Sequence, residues 1–284
     1  MKNLIKRVES VPEGFDPSNL TRPHKIPSKL YNQFNFYFKL RKYNQSLFEK
    51  DQNDILNSFG LNRVKGIEKL NQIIEKLNIP LIKKRKMRSE HEIIFSSISE
   101  DKNRTINNIL EIGTFDGFNA LLMSYLFPNS SIDTIDLSEE EKDFKYFYNR
   151  KHNINKFIKD RDDILSNNKN INFYRMNSLR LLNHKKKYDL IWIDGAHGYP
   201  VVCADIINSL HIIQDNGLII CDDIYINNDQ IKSDKMYSSI ASFETLTELK
   251  KENLINFKLA YKRLDPEANC IENKRKYLGI VNKI

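Results

Sequence analysis

The sequence predicts an α/β fold on a mostly parallel sheet whose last strands run antiparallel. Two observations carry that expectation. From Asn107 onward, short and nearly continuous apolar runs alternate with longer segments of helical spacing, the pattern of parallel strands covered on both faces. The last two apolar runs, Phe257–Leu264 and Tyr277–Asn282, have no helix between them and should therefore pair antiparallel. With 40% hydrophobic and 29% charged residues in a chain of 284, a substantial core is affordable and a disordered chain is excluded.

The elements follow in order. Pro12, Pro17, Pro23 and Pro27 mark an irregular, extended arm. Residues 45–78 have helical spacing, with Ile67, Leu70, Ile73, Ile74 and Leu77 on one stripe, and Pro80 ends that helix. A helix over 89–97 opens on Ser89 with Glu92 three residues later, the spacing of a capping box. Then come a strand at Ile109–Ile112, a glycine turn, a helix around 119–125 and a strand at Ser131–Asp136. A long polar helical region spans 139–166, followed by strands at Ile171–Met176 and Tyr188–Ile193, a helix over 201–213 and a strand at Gly217–Cys221. Residues 1–85 are expected as a mainly helical N-terminal extension, a cap or dimer contact, and 86–284 as the main domain. The stretch 226–237 follows the fifth strand and is placed to form a lid over a substrate.

The net charge of +8 is uneven. Residues 1–105 hold 21 Lys and Arg against 12 Asp and Glu, while the remainder holds 24 against 25. The basic excess therefore belongs to the extension, above all Lys83-Lys84-Arg85-Lys86-Met87-Arg88, and reads chiefly as a solvated face. No apolar run approaches the ~18 residues of a membrane span, and Met1 to Arg7 carries charge without an apolar stretch of signal-peptide length. Cys203, Cys221 and Cys270 are too few and too scattered for a disulfide framework or zinc cluster, so a reducing, cytoplasmic setting is expected.

The chemistry concentrates at strand ends. Glu111-Ile112-Gly113-Thr114-Phe115-Asp116-Gly117 sits where the first strand hands over to the first helix. Glycines there permit close backbone approach to a ligand, and the helix start offers free N–H groups. Asp136 closes the second strand, where a carboxylate accepts hydrogen bonds from ribose hydroxyls. That spacing fits both dinucleotides and S-adenosylmethionine. A pyrophosphate wants bare backbone in a G-x-G-x-x-G turn; this chain has G-x-x-x-G, with Thr114 and Phe115 in the way and Glu111 adjacent. Acidic neighbours suit a ligand bearing an ammonium and a sulfonium.

On these residues the chain resembles the class I S-adenosylmethionine-dependent methyltransferases, over roughly residues 86–284. The Glu111–Gly117 stretch resembles the family's first motif and Ile135-Asp136, followed by Leu137, its second. Met176-Asn177-Ser178 stands where the family places adenine contacts, and the two C-terminal strands resemble its closing hairpin. Trp192-Ile193-Asp194-Gly195-Ala196-His197-Gly198-Tyr199 is similar to the metal-dependent small-molecule O-methyltransferases. It is closer to the macrocin-like, mycinamicin-like and cephalosporin-hydroxylase-like sugar-modifying group, where a histidine stands three residues after the aspartate.

The resemblance implies a Rossmann-like methyltransferase fold and S-adenosylmethionine as donor. Its binding residues would be Glu111, Gly113, Thr114, Asp116, Gly117, Asp136, Leu137, Asn177 and Ser178. It further implies Mg²⁺ (or Mn²⁺) on Asp194, Asp222 and Asp223, with His197 and Asp194 as the catalytic pair. Three carboxylates at adjacent strand ends suit a hard cation, which lowers the pKa of a bound hydroxyl, and a histidine's ordinary pKa suits removal of its proton. The expected acceptor is a hydroxyl of a sugar or other polyhydroxylated small molecule. The alternatives are a methyltransferase acting on nucleic acid or protein, a nicotinamide-dependent oxidoreductase, and a non-catalytic module on the same fold. Nucleic acid is disfavoured because no Asn/Asp-Pro-Pro-Tyr/Phe stretch follows the fourth strand. A homodimer is a candidate assembly. His24, His91, His152, His184 and His211 have no comparable neighbours and read as structural, and Trp192 reads as core.

Overall fold

The chain was described from a computed structural model, which places residues 28–77, 89–146, 153–227, 240–272 and 275–284. The proline-rich arm, the basic run at 83–88 and most of the expected lid at 226–237 lie outside the described residues.

The apolar runs form one seven-stranded sheet of order β3-β2-β1-β4-β5-β7-β6. Its strands are β1 (Asn108–Ile112), β2 (Ser131–Asp136), β3 (Ile171–Arg175), β4 (Tyr188–Ile193), β5 (Ile213–Ile224), β6 (Ile255–Tyr261) and β7 (Tyr277–Lys283). The pairs β1–β2, β1–β4, β2–β3 and β4–β5 are parallel. β7 runs antiparallel to both β5 and β6, as expected, although a four-residue helix at Pro266–Asn269 lies between the last two strands. β5 is longer than its apolar run, starting at Ile213 directly after the preceding helix.

The helices are α1 (Ser28–Lys42), α2 (Gln45–Asn57), α3 (Arg63–Leu77), α4 (Glu90–Ser99), α5 (Phe118–Leu126), α6 (Lys142–Tyr146), α7 (Ile154–Ser166), α8 (Val201–Ile212), α9 (Ala241–Lys251) and α10 (Pro266–Asn269). The polar region expected as one long helix is thus two, α6 and α7. Because both faces of the sheet are covered, its central strands are apolar almost throughout: β1 is buried from Ile109 to Ile112, and Leu190 to Ile193 of β4 are buried. One core lies under α2 to α5 and α7, around Leu56, Leu70, Phe95, Leu122 and Trp192. The other lies under α8 and α9, around Val202, Ile206, Ile219 and Leu246. Asp133 of β2 is buried with donors from Asn172 (2.9 Å), Lys186 (2.7 Å) and the Tyr188 hydroxyl (2.8 Å), so it incurs no unpaired-charge penalty.

Residues 44–284 form one compact unit. That unit takes in α2 and α3, which lie within the expected N-terminal extension. The reason is visible in α2 and α3. Buried Gln52 accepts from the Tyr261 N–H (2.8 Å) and donates to its carbonyl (3.2 Å) at the end of β6. Arg63 holds Glu90 at the start of α4 by two parallel bonds of 2.7 and 2.8 Å, the strong geometry for a guanidinium and a carboxylate. The stripe residues Leu70 and Ile73 are buried on the same core. The Ser89 capping box does not form. The Ser89 hydroxyl donates to the Lys262 carbonyl at 3.3 Å and lies 2.8 Å from His91 Nδ1, so the helix start is docked on the β6 end by tertiary contacts.

Gly113 is the point at which the sheet tolerates no side chain. Its φ is +102°, and a Cβ there would lie 2.2 Å from the Asp194 carbonyl oxygen and 2.6 Å from its carbon. At Gly60 (φ +76°) a Cβ would meet nothing within 4 Å. Gly60→Ala should therefore cost only backbone strain, about 1 kcal/mol. Gly113→Ala should cost more than ~3 kcal/mol, because strain and a backbone clash combine. Urea unfolding of both variants measures the difference, and equal losses would contradict this reading of the turn.

Candidate active site

The parallel register aligns the strand ends. Ile112 of β1 lies beside Ile135 of β2 and Ile193 of β4, and Ile193 lies beside Cys221 of β5. The next residue on each strand is then Asp136, Gly113, Asp194 and Asp222, one row across four strands. Neighbours in such a row are about 5 Å apart, so the row spans ~15 Å. Hydrogen bonds close it: the Gly113 N–H donates to the Ile135 carbonyl (2.9 Å) and the Asp194 N–H to the Ile112 carbonyl (2.8 Å). This row lies at the carboxyl ends of the parallel strands, where open α/β sheets bind ligands.

The β2 side of the row is acidic. Glu111 is fully buried, and its Oε2 accepts from the Thr134 hydroxyl at 2.5 Å, which in turn lies 2.6 Å from the Thr114 hydroxyl. Its Oε1 has no hydrogen-bond partner among the described residues. Burial pushes the Glu111 carboxyl up to about 8, and the charges of Asp116 and Asp136 add to the rise. The two oxygens of Asp136 accept from the Phe115 N–H (3.1 Å) and the Leu137 N–H (2.8 Å), which fixes the carboxylate. Asp116 accepts from the Phe118 N–H at 3.0 Å at the start of α5. Asn177 caps the 3₁₀ turn Ser178–Asn183 by accepting from the Leu179 N–H at 3.0 Å, and Met176 N–H donates to the Asp136 carbonyl at 2.8 Å. The ends of β2 and β3 are thereby joined, and Asn177 and Ser178 stand beside Asp136. Gly113 and Gly117 serve the turn itself: the side-chain space of the first is filled by the Asp194 carbonyl, and that of the second borders Leu165 at 3.1 Å.

This side fits a cationic nucleoside-containing ligand. A buried carboxyl with one unpartnered oxygen, flanked by two more acids, favours an ammonium or sulfonium.

The β4–β5 side differs. His197 is 2% exposed, and its Nε2 lies 3.5 Å from Asp194 Oδ1. Burial holds the imidazole below its usual pKa, against the pull of Asp223 and Asp222, so it is neutral at physiological pH. Asp194 is pushed well above the carboxylate range by burial and by the neighbouring Asp222 charge. Against burial, which raises it, Asp222 is held low by the Lys262 ammonium. Lys262 Nζ donates to Asp222 Oδ2 at 2.6 Å and also to Asp223 Oδ1. Lys276 Nζ donates to Asp223 Oδ2 at 2.6 Å.

The expected metal set is thus not presented as an open cage. Two of its three carboxylates, Asp222 and Asp223, are bound to lysine ammoniums. Among the described residues no three His, Cys, Asp or Glu side chains are arranged to hold a metal ion. These side chains, as they stand, do not fit Mg²⁺ or Mn²⁺.

Two residues of this site, Lys262 and Lys276, were not singled out from the sequence, and His91 was read there as structural. A signal for the lysines existed. Tyr261 pairs with Tyr277, and Tyr277 pairs with Ile224. A hairpin lying beside β5 therefore brings the residues flanking its turn next to Asp222 and Asp223. His91 is buried, with Nε2 3.1 Å from Asn119 Oδ1 and its ring 4.9 Å from Trp192. Trp192 itself is core, as expected.

Residues 110–224 match the family model described as a methyltransferase domain. No curated protein matches the sequence. Among solved structures, the O-methyltransferase from Bacillus cereus in complex with SAH aligns at 15% identity and TM-score 0.49, over 77% of this chain and 90% of that one. The O-methyltransferase TomG from Streptomyces achromogenes, in complex with SAM, aligns at 12% identity and TM-score 0.46, over 82% and 97%. The SAH-bound methyltransferase PaMTH1 from Podospora anserina aligns at 16% identity and TM-score 0.47, over 78% and 88%. The seven-stranded order with its antiparallel β7 is a Rossmann-like methyltransferase fold, and residues 110–224 within it match the methyltransferase-domain model.

Proposed function

We propose that this enzyme transfers a methyl group to a hydroxyl oxygen of a sugar or another polyhydroxylated small molecule. The observation that supports it is the single row Asp136–Gly113–Asp194–Asp222, acidic at the Glu111 side, with a neutral His197 beside Asp194 at the other. Asp136 would hold the ribose hydroxyls, Glu111 and Asp116 would face the cationic methionine moiety, and the Thr114, Leu137, Asn177 and Ser178 region would border the nucleoside. S-adenosylmethionine, when bound, supplies a methyl group already activated on its sulfonium. The protein's task is then to orient the acceptor and take its proton. His197 is assigned that proton: it is unprotonated, and its Nε2 lies 3.5 Å from Asp194 Oδ1.

Residues 1–85 are assigned a cap or dimer-contact role in the same reading. The free state of Cys203, Cys221 and Cys270 supports a reducing, cytoplasmic setting.

Two experiments test this. In calorimetry with S-adenosylmethionine, Asp136→Asn should weaken binding roughly tenfold, the worth of about one charge-assisted hydrogen bond. His197→Ala should leave binding within about twofold and lower turnover of a hydroxyl acceptor by ~10²–10⁴. Absence of any binding by the native chain would overturn the proposal. The second concerns pH. Glu111 titrates near about 8 in the folded protein against an ordinary 4.5, so between those values the folded state holds the extra proton. Stability should fall as pH rises from about 5 to 8. Glu111→Gln should remove that slope, melting above the native protein at pH 8.5 while binding the donor more weakly; parallel melting profiles would contradict the assignment.

A further inference from the structure

The acidic strand ends of β4 and β5 already have their cations. Lys262 donates to Asp222 at 2.6 Å and to Asp223, and Lys276 donates to Asp223 at 2.6 Å. The Lys262 and Lys276 side chains keep only 10% and 27% of their exposure, and the Asp222 and Asp223 side chains only 4% and 13%. Two carboxylates facing two ammoniums leave no net field to draw a divalent ion. A metal entering this cluster would have to displace both.

Lys262 is not free to leave. Its N–H donates to the Lys276 carbonyl at 3.0 Å across the β6–β7 hairpin, and its own carbonyl accepts from the Glu90 N–H at 2.9 Å and from the Ser89 hydroxyl. The backbone is therefore clamped between the hairpin and the start of α4, with the side chain directed into the acidic pair. Beside the two ammoniums lies a cavity of about 120 Å³, lined by Lys262, Arg263, Glu267, Ala268, Asn269 and Lys276. An ammonium has three N–H groups, and two of those on Lys262 are used on the carboxylates.

We propose that Lys262, backed by Lys276, is the resident cation of this site, standing where the resemblance puts a divalent metal, and that the strand-end cluster binds no Mg²⁺ or Mn²⁺. Resting on the hydroxyl-acceptor reading above, Lys262 is then a positioning residue: it fixes Asp222 and Asp223 and gives the acceptor's oxygen an ammonium, not a metal, as its electropositive neighbour. Part of the lowering of acceptor pKa that a metal would provide falls to a single charge, which leaves more of the task to His197.

The test does not depend on methyl transfer. Native full-length protein is titrated with Mn²⁺ at about 100 µM while the free-ion signal is followed by electron paramagnetic resonance. The expected result is a signal of full amplitude. Stoichiometric loss of signal that Asp222→Asn restores would overturn the proposal. In parallel, Lys262→Met should lower the thermal midpoint by roughly 10 °C, because it strands buried carboxylates. Adding Asp222→Asn to Lys262→Met should recover at least half of that loss. A Lys262→Met protein that melts with the native one, or a double variant no better than the single, would show that the ammonium is not the counter-charge. If the native chain bound no S-adenosylmethionine, the methyl-transfer reading would fall while these outcomes stayed readable.

Discussion

The structure depends on how closely the first strand's turn can approach the end of the fourth. Gly113 has its missing side chain's space filled by the Asp194 carbonyl. That contact holds β1 and β4 in a register that carries Asp194 level with Asp136 on the far side of β1 and with Asp222 on the next strand. Any larger residue at position 113 would push the two strand ends apart. The carboxylates would then belong to separate surfaces, and neither a donor nor an acceptor would find its contacts together.

Given that row, charge divides the site into two parts. On the β2 side, burial pushes the Glu111 carboxyl up, and the charges of Asp116 and Asp136 add to the rise. On the β5 side, Asp222 and Asp223 are neutralised by the protein's own lysines. A cationic donor is thus attracted to one part, and the other offers a neutral imidazole and a compensated polar wall. Burial does opposite work at the two ends, since it favours the protonated form of a carboxyl and the unprotonated form of a histidine.

Much of this was legible in the sequence. The parallel strands announce themselves as unbroken apolar runs, and each reactive residue follows one of those runs at a strand end. Asp136, Asp194 and Asp222 could therefore be placed before any coordinates. What the sequence could not reveal came from contacts between distant segments. Ser89 and Glu92 have the spacing of a capping box, yet the Ser89 hydroxyl is turned to Lys262, 173 residues away. Lys262 and Lys276 look like ordinary surface lysines until the hairpin's register sets them against β5. His91 reads as structural on its own helix, and only the packing of α4 brings its charge near Asp222. The boundary near residue 85 followed the extent of the family resemblance, and the contacts of buried Gln52 and the Arg63–Glu90 pair with the sheet unit are not readable from it.

The central claim is that the strand-end row is the donor site, and a crystal structure of the protein grown with S-adenosylhomocysteine tests it most directly. The account predicts ribose hydroxyls on both oxygens of Asp136, the methionine amino group near Glu111, and the sulfur directed toward Asp194 and His197. A nucleoside bound elsewhere, or a row left without one at saturating ligand, would contradict it.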